Sequence, residues 1–409
     1  MKRKIVFILT VFAHLLAFAQ QTRVSGVVKN AQSGERIAQV SVSAAGGSEA
    51  VVTNEDGVFS LKSDRRVDEI VVSHVGYRTQ RVKVDVSSKK TLNILLQPAS
   101  VQLHEVVVWT NNPKELMNAA ISRIPQNYSK RPELLNCFYR ETAMKRQHYI
   151  TVAEGVVDMY KTAYNGYNGK DRVAIRKGRR LLSPKQNDTL GVKVIGGPVQ
   201  PIQLDVVKNL DFLLNDEELS MYDFSLLPPE MIDDREQLVV AIKPHSTAYD
   251  YALYFGRFYI DRETLAFTRV ELELDMRNRE KATRCMLVRK PFGVRFRPKE
   301  LSCVINYKRS GDAYRLSYIR NTFRFNCDWR RRLFATGFTA VCELVITDQA
   351  AEATPIKGRQ SFDSRDAFFD KVDYFRDPDF WSNYNIIEPS ESLDHAINKI
   401  LKRYPTTGK

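Results

Sequence analysis

The histidines, carboxylates and nucleophiles of this chain were read first for spacing that could do chemistry. Beyond residue 20 the histidines are His74, His104, His148, His245 and His395, and none pairs as HExxH or as any other ligand spacing. A lone histidine of this kind reads as a polar surface or satisfied core residue. No G-x-S-x-G elbow and no S-x-x-K motif supplies an activated serine. Gly155, Gly166 and Gly169 are scattered through strand and turn contexts and do not form a phosphate loop. The adjacent acids Asp233-Asp234 and Glu217-Glu218 sit in polar loop sequence, where solvated turn residues account for them without a glycosidase-type pair. Arg140 and Glu141 alternate faces on a strand, so they are not expected to point inward together. The expectation is a protein that is not an enzyme, with no cofactor and no metal.

The least bland chemistry is basic. The formal charge is +14, and from Arg277 to Arg332 the chain carries 17 Lys and Arg against 4 Asp and Glu. Arg284, Arg289, Arg315, Arg320 and Arg324 interleave with Leu287, Tyr318, Phe323 and Phe325 on expected strands, and Arg330-Arg331-Arg332 reads as a loop apex. Such a set is either the solvated outer face of a sheet or a surface of guanidinium forks for phosphate groups on an anionic glycolipid. Five cysteines, Cys137, Cys285, Cys303, Cys327 and Cys342, lack CxxC spacing. They are read as buried thiols, with Cys285–Cys303 and Cys327–Cys342 as the pairs that adjacent strands could bridge.

The elements that must position these residues are mostly strands. Lys2, Arg3 and Lys4, the apolar run Ile5 to Leu16 and Ala17-Phe18-Ala19 have the pattern of a secretory signal over residues 1–19. The expected mature chain begins at Gln20, exported, periplasmic or outer-membrane-associated, with no later apolar stretch long enough to span as a helix. Export excludes chromosomal nucleic acid as a partner and leaves envelope proteins, an anionic glycolipid or a peripheral membrane contact. Residues 20–98 show seven short strands with regular turn signals, a small antiparallel sandwich. The clearest turn is Thr53-Asn54-Glu55-Asp56-Gly57. Residues 99–130 form a linker strand and a helix opened by Asn112-Pro113. Residues 131–348 read as about ten long strands, including Thr283 to Lys290. One helix is expected through Leu204, Val207, Leu210 and Leu214. Residues 349–409 form a linker and a helical tail, with Ser390 capping the last helix. The fold class is therefore mainly β: a seven-stranded sandwich, then a large antiparallel curved sheet or half-barrel with a few covering helices.

Several motifs resemble known families. Gly26-Val27-Val28, Ser33-Gly34-Glu35-Arg36-Ile37, Val40-Ser41-Val42, Thr53 to Phe59 and Ser73-His74-Val75-Gly76-Tyr77 fall in the order of the carboxypeptidase-regulatory-like domain. That resemblance implies a transthyretin-type sandwich common in Bacteroidetes envelope proteins, and a docking module without catalytic residues. Leu103-His104-Glu105-Val106-Val107-Val108 is similar to the TonB-box segment that follows this module in outer-membrane receptors, and it also reads as an ordinary linker strand. Gly256 to Asp261 followed by Thr264 to Phe267 looks like the G-x-x-x-I-D-x-x-T hairpin of the periplasmic lipoprotein-carrier (LolA/LolB-like) fold, which wraps a half-barrel around a helix and holds acyl chains. Phe138-Tyr139-Arg140-Glu141 and Phe380 to Pro389 are similar to a group of Bacteroidetes envelope proteins from which no activity carries over. Asp188-Thr189-Leu190 resembles an O-glycosylation acceptor of the same phylum.

These readings give an exported, non-enzymatic envelope binding or assembly protein. The alternatives are a carrier of a lipid or acyl ligand in the half-barrel, and an enzyme with an unrecognised site. A deep apolar groove along strands 237–275 is the mark of the carrier, and a filled core there would sink that reading.

Overall fold

The computed structural model describes residues 21–85, 90–99, 112–165, 169–183, 194–246, 248–287, 292–329, 334–374 and 380–402. The signal-like segment, Leu103 to Val108, Asp188-Thr189-Leu190, Arg289 and Arg330 to Arg332 lie outside them.

The first module is a two-layer sandwich. β1 (Thr22–Asn30) pairs with β4 (Val58–Ser63) and with β7 (Leu92–Leu96). The facing sheet has the order β3 (Ala50–Val52), β2 (Ser41–Ala44), β5 (Glu69–Ser73), β6 (Gln80–Lys83). Alternating side chains such as Val24, Val28, Val42, Phe59, Leu61, Ile70 and Val72 fill the space between. The turn at 53–57 forms as its residue types dictate. Asn54 Oδ1 accepts from the amides of Asp56 and Val58, both at 2.9 Å. Gly57 takes φ +68°, and a Cβ there would lie 2.6 Å from the Val28 carbonyl oxygen.

The second module is one eleven-stranded sheet. Its meander runs β11 (Tyr222–Ile232), β12 (Arg235–Pro244), β13 (Tyr254–Asp261), β14 (Phe267–Leu274), β15 (Val294–Ser310), β16 (Ala313–Trp329), β17 (Thr336–Gln349). β17 then pairs with the first long strand, β8 (Glu133–Lys145), followed by β9 (His148–Lys161), β10 (Arg172–Leu182) and the two-residue β18 (Asp373–Tyr374). The sheet is open, with β11 and β18 as its edges. β11 is not apparent in the sequence because Pro228-Pro229 interrupts it. The prolines are tolerated because the strand is an edge and its register shifts between Leu227 and Glu230. The Asp233-Asp234 pair forms the two-residue turn to β12, both residues at positive φ, as a tight hairpin requires.

The concave face is filled by the chain's own helices. α1 (Pro113–Ser122) is capped by Asn112, whose side chain accepts from the Lys114 amide, and it buries Leu116, Met117 and Ala120. α2 (Ile124–Asn127) adds Ile124. The expected single helix through Leu204 to Leu214 is instead a chain of short pieces. These are a 3-10 turn at Gly197–Val199, α3 (Gln200–Gln203), a 3-10 turn at Leu210–Phe212 and α4 (Asp216–Leu219). At the break the Asn209 side-chain amide donates to the Ile202 and Gln203 carbonyls, at 2.7 and 3.1 Å, and so takes acceptors that a continuing helix would pair with its own backbone. Leu238, Val240, Ile242, Phe258, Ile260, Val270 and Leu272 of β12–β14 belong to the same continuous core as these pieces. Among the described residues, strands 237–275 therefore face a filled core and not the deep apolar groove that would mark a carrier.

The strand expected over Thr283 to Lys290 is not formed by its described residues Thr283 to Met286, and 288–290 lie outside the described residues. Arg279–Met286 form α5, not a strand, because Asn278 caps the amides of Glu280 and Lys281 and Ala282 is buried beneath. In the tail, α6 (Phe368–Lys371) is one turn long, and α7 (Glu391–Leu401) is capped by Ser390 as expected.

The convex face is covered too. Phe380, Trp381, Ile386 and Ile387 pack on Phe138, Val156, Tyr318 and Val345, together with Val52 of the sandwich. Arg140 and Glu141 do point to opposite faces, yet both are buried, at 3% and 5% exposure, because both faces are covered. Among the described residues no helix is long and apolar enough to cross a membrane.

Candidate ligand-binding cleft

Among the described residues a cleft of about 870 Å³ opens beside the broken helical segment that fills the sheet. One wall is apolar, from Ile121 and Ile124 at the end of α1 and the start of α2, and from Val199, Ile202 and Leu210 of the broken helical segment. The rim is polar, from Asn165, Lys170, Arg172, Gln203 and Asp211. The volume lies within the ordinary range for small-molecule sites.

Thr162, Tyr164, Asp171 and Lys208 line its floor, and behind them lies a buried ion cluster. β9 ends at Lys161, whose ammonium lies 2.7 Å from Asp205 Oδ2 and 3.3 Å from Asp171 Oδ2. Tyr164 Oη donates to Asp205 Oδ2 and Tyr307 Oη to Asp205 Oδ1, each at 2.8 Å. Thr162 donates to Asp171 Oδ1 through its amide and its hydroxyl, both at 2.8 Å. Lys208 Nζ donates to the Thr162 and Ala163 carbonyls. Tyr128 stacks against Tyr164 and Tyr307 at centroid distances of 5.1 and 5.6 Å and donates to the Phe267 carbonyl at 2.6 Å.

The electrostatics follow from this packing. Burial alone lowers the Lys161 ammonium, but Asp205 and Asp171 outweigh it and hold its pKa above the usual amine value. Burial pushes the Asp171 carboxyl up, yet Lys161 and the Thr162 hydrogen bonds prevail and keep it low. Burial, then the Asp205 charge, raises Tyr164 and Tyr307 well above the phenolic range. Lys208 is lowered by burial, with Asp171 offsetting part of it. The cluster is thus paired within itself and largely buried, and it fixes the shape of the cleft above it. The sequence contained its parts, but Lys161, Asp171, Asp205 and Tyr307 lie on four separated segments. The one legible signal was charge inside apolar runs, Lys161 at the end of a buried strand and Asp205 within Leu204 to Val207.

The expected arginine surface is arranged differently. Arg315 pairs with Glu133 at 2.7 Å, and Arg320 pairs with Glu343 at 2.9 Å and with Glu55 of the sandwich at 3.0 Å. Arg324 is more exposed and lies 3.1 Å from Glu300. Arg284 sits on α5 and donates to the Asp250 carbonyl at 3.2 Å. Each described arginine of the set therefore has a protein partner, and Arg320 helps dock the two modules. All five cysteines are free thiols, four of them buried and Cys285 exposed. Among the described residues no three His, Cys, Asp or Glu gather as a metal-binding group.

Two further polar sites hold the architecture. Glu154, 1% exposed, accepts from Arg140 Nε at 2.8 Å, from Arg179 Nε at 2.8 Å and from Trp381 Nε1 at 3.1 Å. Arg140 Nη2 also donates to the Ile387 carbonyl at 2.5 Å, which pins the tail to the convex face. The tail in turn seals the sandwich edge. Asn385 exchanges side-chain hydrogen bonds with the Lys62 backbone at 2.7 and 2.8 Å, and Lys62 Nζ donates to the Trp381 and Tyr384 carbonyls at 2.7 and 2.8 Å. This covers β4, an edge strand, as an added strand would. Lys308 Nζ reaches Ser41 and Ser43 at 3.0 and 3.1 Å, and Asp234 accepts from the Thr79 amide at 2.8 Å.

Comparison with known proteins places the modules. The chain is 36% identical over 104 residues to the TonB-dependent receptor SusC of Bacteroides thetaiotaomicron, a match covering 25% of this chain and 10% of that receptor. Among solved structures, a putative outer membrane lipoprotein-sorting protein domain from Vibrio parahaemolyticus overlaps 61% of this chain and 96% of its own, at TM-score 0.26 and 11% identity. The LolA superfamily protein NE2245 from Nitrosomonas europaea overlaps 58% and 94%, at TM-score 0.19 and 10% identity. Overlaps this loose carry no functional inference. Residues 24–108 match the CarboxypepD_reg-like domain, and the N-terminal sandwich of this chain is such a domain.

Proposed function

We propose that this chain is a non-enzymatic binding protein of a bacterial cell envelope, with the cleft beside the broken helical segment as its ligand site. The observation that carries the reading is the state of the cleft floor. An apolar wall and a polar rim lie over a buried cluster in which Lys161, Asp171, Asp205, Tyr164 and Tyr307 hold one another, so the cleft has a fixed shape and a graded polarity to bind with. The regulatory-like domain and its likeness to a segment of a TonB-dependent receptor support the envelope setting. In this reading the sandwich is a fixed docking module, held to the sheet by Arg320–Glu55, Lys308–Ser41 and the Asn385–Lys62 pair.

The filled core rules out a carrier site along strands 237–275; a second reading, an amphiphile held in this separate cleft, rests on the wall of Ile121, Ile124, Val199, Ile202 and Leu210 and the rim residues Lys170 and Arg172. An acyl chain against the wall with its anionic head at the rim fits that polarity.

The test is extraction of the natively purified protein for lipids and for bound proteins, followed by mass spectrometry, beside the cleft-filling variant Leu210→Trp. A lipid retained by wild type and lost from L210W selects the carrier. A non-lipid ligand lost from L210W supports the broader binding reading. Turnover of any envelope-derived substrate that L210W abolishes would overturn both.

A further inference from the structure

Lys208 is a cation of the cleft whose charge the protein only partly balances. It stands on the broken helical segment and lines the cleft beside Thr162, Tyr164 and Asp171. Its ammonium donates to the Thr162 carbonyl at 3.0 Å and to the Ala163 carbonyl, and it lies 5.1 Å from the Tyr164 ring centroid. An ammonium has three N–H donors, and two of these are spent on carbonyls. Among the described residues no carboxylate forms an ion pair with it, because Asp171 and Asp205 both hold Lys161. Burial lowers its pKa. Asp171 and Asp205 pull the other way, Lys161 opposes them, and the balance stays low. The charged form is thus less stable here than in water, a state that an anion in the cleft would relieve.

The rest of the cleft has the same sign. Its charged lining residues are Lys170, Arg172 and Lys208 against Asp171, Asp211 and Asp363. Two of the carboxylates are taken, Asp171 by Lys161 and the Thr162 amide, and Asp363 by Arg365 at 2.8 Å. Asp211 remains, exposed. Arg172 is fixed by the Ile356 carbonyl at 2.8 Å and Lys170 is exposed, and among the described residues neither has an ion-pair partner. Further exposed cations flank the opening. Arg123 lies between Ile121 and Ile124 of the wall. Lys130 and Arg131 follow Ser129, whose carbonyl accepts from the Tyr164 amide at 2.9 Å.

We propose that the ligand of the cleft carries a phosphate or carboxylate group that takes the third N–H of Lys208, with Lys170 and Arg172 as outer cations and the apolar part of the ligand on Ile121, Ile202 and Leu210. The inference rests on the cleft being the ligand site, and it adds the charge of the ligand and the residue that reads it. A neutral ligand of the same shape would leave the ammonium as poorly balanced as before, whereas an anion gains a charge-assisted hydrogen bond. The same chemistry serves an amphiphile and a water-soluble molecule, and matched probes separate the two.

The test is titration calorimetry of the full chain with three probes. These are lauroyl lysophosphatidate, monolauroylglycerol, which lacks its phosphate, and glycerol 3-phosphate, which lacks its acyl chain, with the amphiphiles kept below their micelle concentrations. Wild type is expected to bind the lysophosphatidate about tenfold more tightly than monolauroylglycerol, the worth of one charge-assisted hydrogen bond. Lys208→Met is expected to remove that preference and leave the affinity for monolauroylglycerol unchanged, while Lys208→Arg keeps the preference. An anion raises the pKa of the amine it meets, so at alkaline pH binding should take up a proton in wild type and not in Lys208→Met. Heats measured in buffers of different ionisation enthalpy read that uptake, which a merely structural lysine would not produce. Glycerol 3-phosphate binding as tightly as the lysophosphatidate would support the anionic group and make the ligand water-soluble. Equal wild-type affinity for lysophosphatidate and monolauroylglycerol, both lost from L210W, would overturn this inference and leave the cleft as the ligand site. Affinities unchanged in L210W would overturn the cleft reading as well. Absence of binding by both phosphate probes would overturn the inference on wild type alone.

Discussion

Lys161 Nζ and Asp205 Oδ2 lie 2.7 Å apart, with side chains 2% and 0% exposed, in the cluster buried behind the cleft. Removing one partner of such a pair leaves the other charge buried without compensation. Lys161→Met is expected to destabilise the chain by about 3–5 kcal/mol, read as a fall in the urea midpoint at unchanged m-value. Lys161→Met/Asp205→Asn removes both charges and is expected to recover part of that loss. A double variant less stable than the sum of the single ones would show that the pair is not the unit described.

Arg140 organises the convex face. Arg140→Ala breaks contacts to Glu154 and to the Ile387 carbonyl together. It also leaves Glu154, which Arg140 and Arg179 hold below its usual pKa against burial, with one guanidinium in place of two. The expected outcome is a tail that opens before the rest of the chain unfolds, seen as faster amide exchange over 380–390. Unchanged protection there would remove Arg140 from this role.

The tail segment near α6 depends on glycines. Gly155 and Gly178 pair across β9 and β10, and a Cβ would meet Phe368 Cζ at 2.6 Å and Val372 Cγ1 at 2.4 Å respectively. Gly155→Ala is expected to cost about 1–3 kcal/mol by overpacking. Gly155→Ala/Phe368→Leu is expected to regain part of it, because the smaller side chain gives up the contested space. Thermal melts of the three proteins decide the point.

Two buried groups set opposite pH slopes. Burial raises Glu141 from 4.5 to about 8, against a lowering hydrogen bond from Tyr139. The folded state then holds a proton that the unfolded state releases, so stability falls as pH rises from about 4.5 to about 8. Glu141→Gln should flatten that limb. Burial, then Arg269, lowers His74 from 6.5 to about 4. Here the unfolded state binds the proton first, so stability is lost as pH falls from about 6.5 to about 4, and His74→Gln should flatten that side. Urea midpoints measured across pH 4–8 for each variant separate the two contributions. A slope unchanged in either variant would acquit that residue.

Much of the architecture was legible because its signals are local. The turn at 53–57, the Asn112-Pro113 and Ser390 caps, and the alternation of β8, β9 and β12–β17 depend on residues within a few positions of each other. The Asp261–Thr264 hairpin was legible for the same reason: Asp261 Oδ1 accepts from the amides of Glu263 and Thr264 and from the Thr264 hydroxyl. β11 was hidden by its prolines. The Leu204 to Leu214 helix was overturned at Asn209, whose side-chain amide takes the Ile202 and Gln203 carbonyls, and apolar spacing carries no sign of that.

By itself the sequence determined the module order, the mainly β class and the identity of the sandwich, since strand period and turn chemistry are written in adjacent residues. Only the tertiary structure decided that both faces of the large sheet are covered. Alternation assigns side chains to a face and cannot say what lies across from it. The tertiary structure also decided that the sheet's inner face is filled, that Arg315 and Arg320 are bound to carboxylates, and that four separated segments close into one buried ion cluster.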